Sequence, residues 1–227
     1  MVLSARFSPD GNRLITSGDD GTLQVWDTAL SPLDWHGSEA RKLVEERFAK
    51  LLLREDVVDS LRNDKALPDE VRQVALQLAE EHDEDPKQID DAVWPVVQER
   101  GGDPAAYRLA LRRQEAACRL FPESGPYVST LGLAHYRLGQ FQEAEAALQS
   151  AQRLNALRSK ENWPPDLALR ALLQLQEGRR DEARATVARL RELLKTPRVN
   201  PGKVTPTVLR EIDALLEQKE NNGPQKP

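Results

Sequence analysis

Apolar positions along the chain follow two different periods. In the first 27 residues the runs Val2 to Phe7, Leu14 to Ser17 and Thr22 to Trp26 are short and strand-like, and Ser8-Pro9-Asp10-Gly11-Asn12 and Gly18-Asp19-Asp20-Gly21 separate them. The pattern predicts a three-stranded antiparallel β-meander. From Ser38 onward the spacing becomes helical. Leu43, Val44, Phe48, Leu51 and Leu52 share one helix face, and Val71, Val74, Ala75, Leu78 and Ala79 share another after the start at Leu67-Pro68-Asp69. A short helix over Asp56 to Leu61 is expected between them.

Further along, the helical pattern repeats itself. Tyr107, Ala110 and Ala117 recur 34 residues later as Phe141, Ala144 and Ala151. Leu131, Gly132, Gly139 and Leu148 complete the second copy, in which Gly132 allows two helices to approach closely and Gly139 relaxes the turn between them. This spacing resembles that of tetratricopeptide (TPR) repeats, which are stacked helix-turn-helix units. Asp85-Pro86 and Asp103-Pro104 read as a cap followed by a first-turn proline, and Gly101-Gly102 as a helix end. Pro95 is expected to kink the first repeat helix. A third, degenerate copy spans Asp166 to Gln176 and Glu182 to Lys195, with Ala171, Gly178 and Ala183 at the small positions and a longer loop before it. Thr196 to Pro206 reads as a proline-rich connector and Val208 to Lys219 as a helix covering the open end of the stack.

The residues Phe7-Ser-Pro-Asp-Gly, then Ser17-Gly-Asp-Asp-Gly-Thr22, then Val25-Trp26-Asp27 resemble one blade of a WD40 β-propeller. The resemblance implies that Ser17, Asp20 and Trp26 belong to a hydrogen-bonded network that pins the strands. It also implies a Gly-His pair just before Met1, and hence upstream WD40 blades in a longer chain. Taken together, the blade, the leading helices and the segment Tyr107 to Arg119 resemble the C-terminal part of bacterial WD40-plus-TPR proteins, some of which begin with a serine/threonine kinase domain.

The expected fold class is therefore mainly α, a TPR-like helical-hairpin solenoid preceded by a partial WD40 blade. Its divisions are 1–30 for the blade, 31–37 for a linker, 38–90 for leading helices, 91–196 for the repeats, 197–219 for connector and capping helix, and 220–227 for a disordered tail.

Composition narrows the function classes. A net charge of -5 argues against a nucleic-acid partner, since phosphate binding calls for a basic face. Cys118 is the single cysteine, so neither an intramolecular disulfide nor a cysteine zinc site is expected, and a reducing cytoplasm fits. No run approaches the roughly 18 apolar residues of a membrane helix, and the start lacks a signal-peptide layout. His82 lies in the acidic run Glu80 to Asp85 without a second histidine at helical spacing, which reads as a solvated helix end and not a metal site. Ser129 and His135 lack an orienting carboxylate and a glycine-rich elbow, and there is no kinase phosphate loop, His-Arg-Asp or Asp-Phe-Gly.

The expectation is a non-catalytic protein-interaction scaffold, with no cofactor and no metal. Resemblance to the repeat family places Ser129, Leu133, Tyr136 and Arg137 on a concave face that would hold a protein or peptide partner, joined by Gln98, Glu99, Leu172 and Gln176. Tyr136 and Arg137 lead this set, because aromatic and arginine side chains dominate binding hot spots. The alternative is a regulatory C-terminal region of a multidomain kinase whose catalytic domain is absent from this chain.

Overall fold

A computed structural model describes residues 2–9, 13–27, 32–157, 163–196 and 206–217. The chain divides into two compact units, Met1–Asp83 and Glu84–Pro227.

The first unit opens with β1 (Val2–Phe7), β2 (Arg13–Gly18) and β3 (Leu23–Asp27), an antiparallel meander in the order β1-β2-β3. The register pairs Phe7 with Leu14 and Leu14 with Trp26, so these three share one face, while Ile15 and Val25 share the other. Gly21 takes a φ of 77° in the turn before β3, a conformation that only glycine adopts without a Cβ clash. Phe7, Leu23, Val25 and Trp26 are all exposed. The sheet therefore presents apolar side chains on both faces, which a self-contained three-stranded sheet avoids.

Helices α1 (Pro32–Leu51), α2 (Arg54–Asn63) and α3 (Asp69–Glu81) follow. The expected linker 31–37 is corrected: α1 already begins at Pro32, whose fixed φ suits a first helical position. Ala40, Val44 and Phe48 of α1 pack with Val57, Val58 and Leu61 of α2 and Val71, Ala75 and Ala79 of α3 into one core. Leu52 makes the corner between α1 and α2 with a φ of 69°, and its buried side chain secures a backbone conformation that a non-glycine residue rarely holds. Arg47 clamps the far side by donating to Ser60 and by pairing with Asp64 at 2.6 Å. The reading of His82 as a solvated helix end is also corrected. Its ring stacks on Phe48 with centroids 3.8 Å apart, and its carbonyl accepts from Arg54 at 2.8 Å.

The second unit comprises α4 (Pro86–Val97), α5 (Pro104–Leu120), α6 (Gly125–Arg137), α7 (Phe141–Leu157), α8 (Pro164–Gln176), α9 (Arg180–Leu194) and α10 (Pro206–Glu217). The first six form three helical hairpins. The array starts at Pro86 and not at residue 91, because Asp85 is a working N-cap that accepts from the Lys87 amide at 2.8 Å. Asp103 does the same for Ala105 at 2.9 Å, and a proline or glycine-proline enters the first turn of α4, α5, α6 and α8. The first helix ends at Val97, before Gly101-Gly102. Pro95 thus falls in its last turn and not in its middle. Each hairpin turn contains a glycine in the left-handed region, Gly101, Gly139 and Gly178 with φ near 76°, 74° and 80°.

Small residues set the spacing within the stack. Tyr107, Ala110 and Ala117 on α5 and Ala144 and Ala151 on α7 are buried at the positions that recur 34 apart, and Ala183 takes the matching place on α9. Gly132 marks the closest approach: a Cβ there would lie 2.6 Å from Leu169 on α8 and 3.4 Å from Ala147 on α7.

Two buried polar ties fix the order of the hairpins. Gln114 on α5 donates to Asp90 on α4 and to the Tyr127 carbonyl on α6, both at 2.9 Å. Asp166 on α8 accepts from Ser129 on α6 at 2.5 Å and from Asn155 on α7 at 2.9 Å. Each tie joins polar groups of three different helices, so a change of packing breaks several bonds at once.

Burial raises the Asp166 carboxyl above its ordinary value of 3.8, while the bonds from Ser129 and Asn155 pull it back. A carboxyl whose pKa is higher in the folded chain than in the unfolded one loses stability as pH rises from 3.8 through that raised value. Asp166→Asn removes this dependence. Its stability relative to the parent chain is expected to improve as pH rises from about 4 to about 7, measured by urea unfolding at both ends; a constant difference would refute it.

The expected longer loop before the third hairpin, the connector and the 220–227 tail fall on 158–162, 197–205 and 218–227, outside the described residues.

Candidate functional site

The turns of the first two hairpins and the C-terminal helix enclose a cleft of about 520 Å³. Arg100, Gly101, Gly102, Tyr107 and Arg108 line one side, the segment from Tyr136 to Phe141 lines another, and Gln176, Glu211 and Leu215 close it. The turn side is rigid for a local reason. The Tyr107 hydroxyl donates to the Glu99 carbonyl at 2.6 Å and accepts from the Gly102 amide at 2.8 Å, folding the loop 98–103 back on α5. On the opposite side Tyr136 leans on Phe141 with ring centroids 5.6 Å apart. The Tyr136 phenol is pushed up by burial and then by Glu211, with Arg137 and Arg100 opposing.

Arg137 is the floor of the cleft. Its Nε donates to the Val97 carbonyl at 2.7 Å and one terminal nitrogen to the Gln98 carbonyl at 3.0 Å, so it caps the C-terminal carbonyls of α4. The two terminal nitrogens also bond both oxygens of Glu211 on α10, at 2.7 and 2.6 Å. The two side chains are only 3% and 6% exposed. The bidentate fork matches the carboxylate geometry and is why arginine, and not lysine, suits this place. The guanidinium lies 5.8 Å from the Tyr136 ring centroid.

Helix α10 is further held by Arg180, which donates to the Leu215 carbonyl at 3.1 Å and to that of Leu216, and by Arg191, which pairs with Asp213 at 2.5 Å. Val208 and Ile212 supply its buried apolar side.

The residues expected on a concave surface therefore divide. Tyr136, Arg137 and Gln176 line one cleft, and the Gln98 and Glu99 carbonyls accept from Arg137 and Tyr107, two residues of its lining. Ser129, Leu133 and Leu172 are corrected to interior positions. Ser129 is 4% exposed, with its hydroxyl turned to Asp166 and the Gly125 carbonyl, while Leu133 and Leu172 are 5% and 0% exposed. Ser129 and Leu133 lie on α6, which packs against α8, and Leu172 lies on α8, which also packs against α7, α9 and α10; the helical period cannot foresee these pairings. Arg137 is likewise corrected from a free hot spot to a paired internal group. His135 turns its Nδ1 to Gln140 at 2.8 Å, away from Ser129. Glu211, Tyr107 and Arg108 enter the site without having been singled out for it; the exposed arginine at the start of α5 was the available signal for the last.

In the sheet, Ser17, Asp20 and Trp26 each make a bond, but not to one another. Trp26 Nε1 donates to Thr16 Oγ1 at 3.0 Å, Ser17 shares a hydrogen bond with Ser4 at 2.8 Å, and Asp20 accepts from the Thr22 amide and hydroxyl at 3.0 and 2.7 Å. Strand parity is the reason: Ser17 lies on the opposite face of β2 from the one that Trp26 shares with Thr16. The Thr22 contacts hold the Asp20 carboxyl below its ordinary value.

Among the described residues no group of three or more His, Cys, Asp or Glu side chains is placed to hold a metal ion, and no helix is long and apolar enough to cross a membrane. Burial pushes the Cys118 thiol up to about 12, so it is not poised as a nucleophile.

Residues 1–27 match the family described as WD domain, G-beta repeat, a repeat type of protein-interaction modules. Comparison of the chain with curated proteins and with solved structures finds no match.

Proposed function

We propose that this chain is a non-catalytic protein-interaction scaffold in which a WD40-type blade precedes a TPR-like array, and that a peptide segment of the partner docks in the cleft between the hairpin turns and α10. The observation that carries this reading is the cleft itself: an open, mixed polar and apolar concavity of about 520 Å³ in which Tyr136 and Gln176 meet exposed arginines. That volume falls in the range of ligand-sized pockets, and a groove across stacked hairpins suits an extended or helical peptide. The three glycine turns and the recurring small residues support the TPR-like description.

Panning a displayed peptide library against the whole chain tests it. A peptide family is expected to emerge whose affinity falls by about tenfold or more in Gln176→Trp, which plugs the cleft from an exposed position without disturbing the core. Absence of any enriched family, or binding indifferent to Gln176→Trp, would overturn the reading.

A further inference from the structure

Four charged side chains line the cleft: Arg100, Arg108, Arg137 and Glu211. Arg137 and Glu211 neutralise each other in their bidentate pair. That leaves Arg100 and Arg108, both exposed, and neither makes a hydrogen bond or an ion pair to another described residue. Elsewhere in this unit the arginines near acidic neighbours are engaged, as Arg179 is with Glu177 and Glu182, Arg184 with Asp181, and Arg191 with Asp213. Two uncompensated positive charges thus sit at the mouth of a cleft in a chain whose net charge is -5. They stand on rigid backbone, since Tyr107 ties the loop that carries Arg100 to the helix that carries Arg108. Beside them the lining is apolar: Leu138 and Phe141 on one wall and Leu215 on the other, all half-buried.

We infer that the cleft selects an acidic peptide segment with an aliphatic side chain next to its carboxylates, the carboxylates meeting Arg100 and Arg108 and the aliphatic group entering between Leu138, Phe141 and Leu215. The inference rests on the scaffold reading above and gives its partner a chemistry. The rest of the surface repels such a peptide on average, so attraction at this one place provides orientation as well as binding. A basic peptide has the opposite experience: it is drawn to the chain as a whole and repelled at the cleft. Arginine also donates two parallel N–H bonds to the two oxygens of a carboxylate, which a lysine at the same position does not. Because both guanidinia are exposed, the attraction is screened by salt over about 8 Å at physiological ionic strength and produces a salt-dependent affinity.

The test is fluorescence anisotropy with the whole chain and a labelled short peptide alternating glutamate and leucine, beside a control in which lysine replaces glutamate. The acidic peptide is expected to bind saturably, to weaken from low to physiological salt, and to lose about tenfold or more in affinity with Arg100→Gln and Arg108→Gln combined. Both side chains are exposed, so the double variant should keep the parent's circular-dichroism melt. Failure of the acidic peptide to bind, binding unchanged in the double variant, or equal binding of the lysine peptide at the cleft each overturns the inference. If library panning still yields neutral or basic peptides sensitive to Gln176→Trp, the scaffold reading stands and only the acidic preference falls. If no peptide of any kind depends on the cleft, both fall.

Discussion

Glu211→Ala is expected to destabilise the second unit by about 3–5 kcal/mol, because it removes one partner of a buried ion pair and leaves the Arg137 charge without compensation. Arg137 would keep the Val97 and Gln98 carbonyls, which are dipoles and not charges. The chain has one way to relieve this cost: α10 can detach and admit water to the guanidinium, at the expense of exposing Val208 and Ile212. Urea unfolding measures the loss, and hydrogen exchange on α10 tells whether it is taken as detachment. The companion double variant Arg137→Met with Glu211→Leu should recover most of the stability, since replacing both members of a buried pair by apolar groups is often neutral or better. Glu211→Ala with a stability within about 0.5 kcal/mol of the parent would show that the pair is solvated in solution and that Arg137 is available to a partner after all.

The second large effect belongs to Leu172→Ala, expected to cost about 2–5 kcal/mol. Leu172 is fully buried in α8, a helix that packs against α6, α7, α9 and α10, so truncation removes transfer energy and leaves a cavity. The spread in the expected cost reflects how far α8 can settle into the space. This experiment separates two roles for the same residue. A groove-facing leucine would lose partner affinity with little change in folding, whereas an interior one loses stability first. A thermal melt unchanged by Leu172→Ala would return it to the surface.

Much of the local structure is legible in the sequence because its causes are local. The three strands follow from short runs of apolar and β-branched residues between Asp-Gly turns; the structure extends β2 by one residue at each end and shifts β3 by one residue toward its C-terminus. Asp85, Asp103 and their following prolines mark helix starts to the residue, since an N-cap acts through its own side chain on an amide two positions away. At Pro32 a first-turn proline opens α1 inside the stretch expected to be linker. The recurrence of Tyr107, Ala110 and Ala117 at Phe141, Ala144 and Ala151 is legible for a related reason: equivalent hairpins need the same small contacts.

The candidate site was legible only in part. Tyr136, Arg137 and Gln176 line one cleft beside the hairpin turns, while Ser129, Leu133 and Leu172, expected on the same face, are buried; packing decided the exposure of each. Ser17 shows the same limit in the sheet, where its neighbour Thr16 holds the hydroxyl that Trp26 can reach and only the pairing register decides between them.

By itself, the sequence determined the period of each element, the places where helices begin, the glycine turns and the small residues that let hairpins stack. These depend on bonds and steric limits acting over a few positions. Tertiary structure alone decided what covers each face. Arg137 sits where a solvent-facing arginine was expected, and it is internal because Glu211, 74 positions later in the chain, arrives on α10 to complete its fork. Periodicity states which side chains share a face, and the identity of the surface laid against that face is set by chain that returns from far away. That same return encloses the cleft and leaves Arg100 and Arg108 unpaired at its mouth.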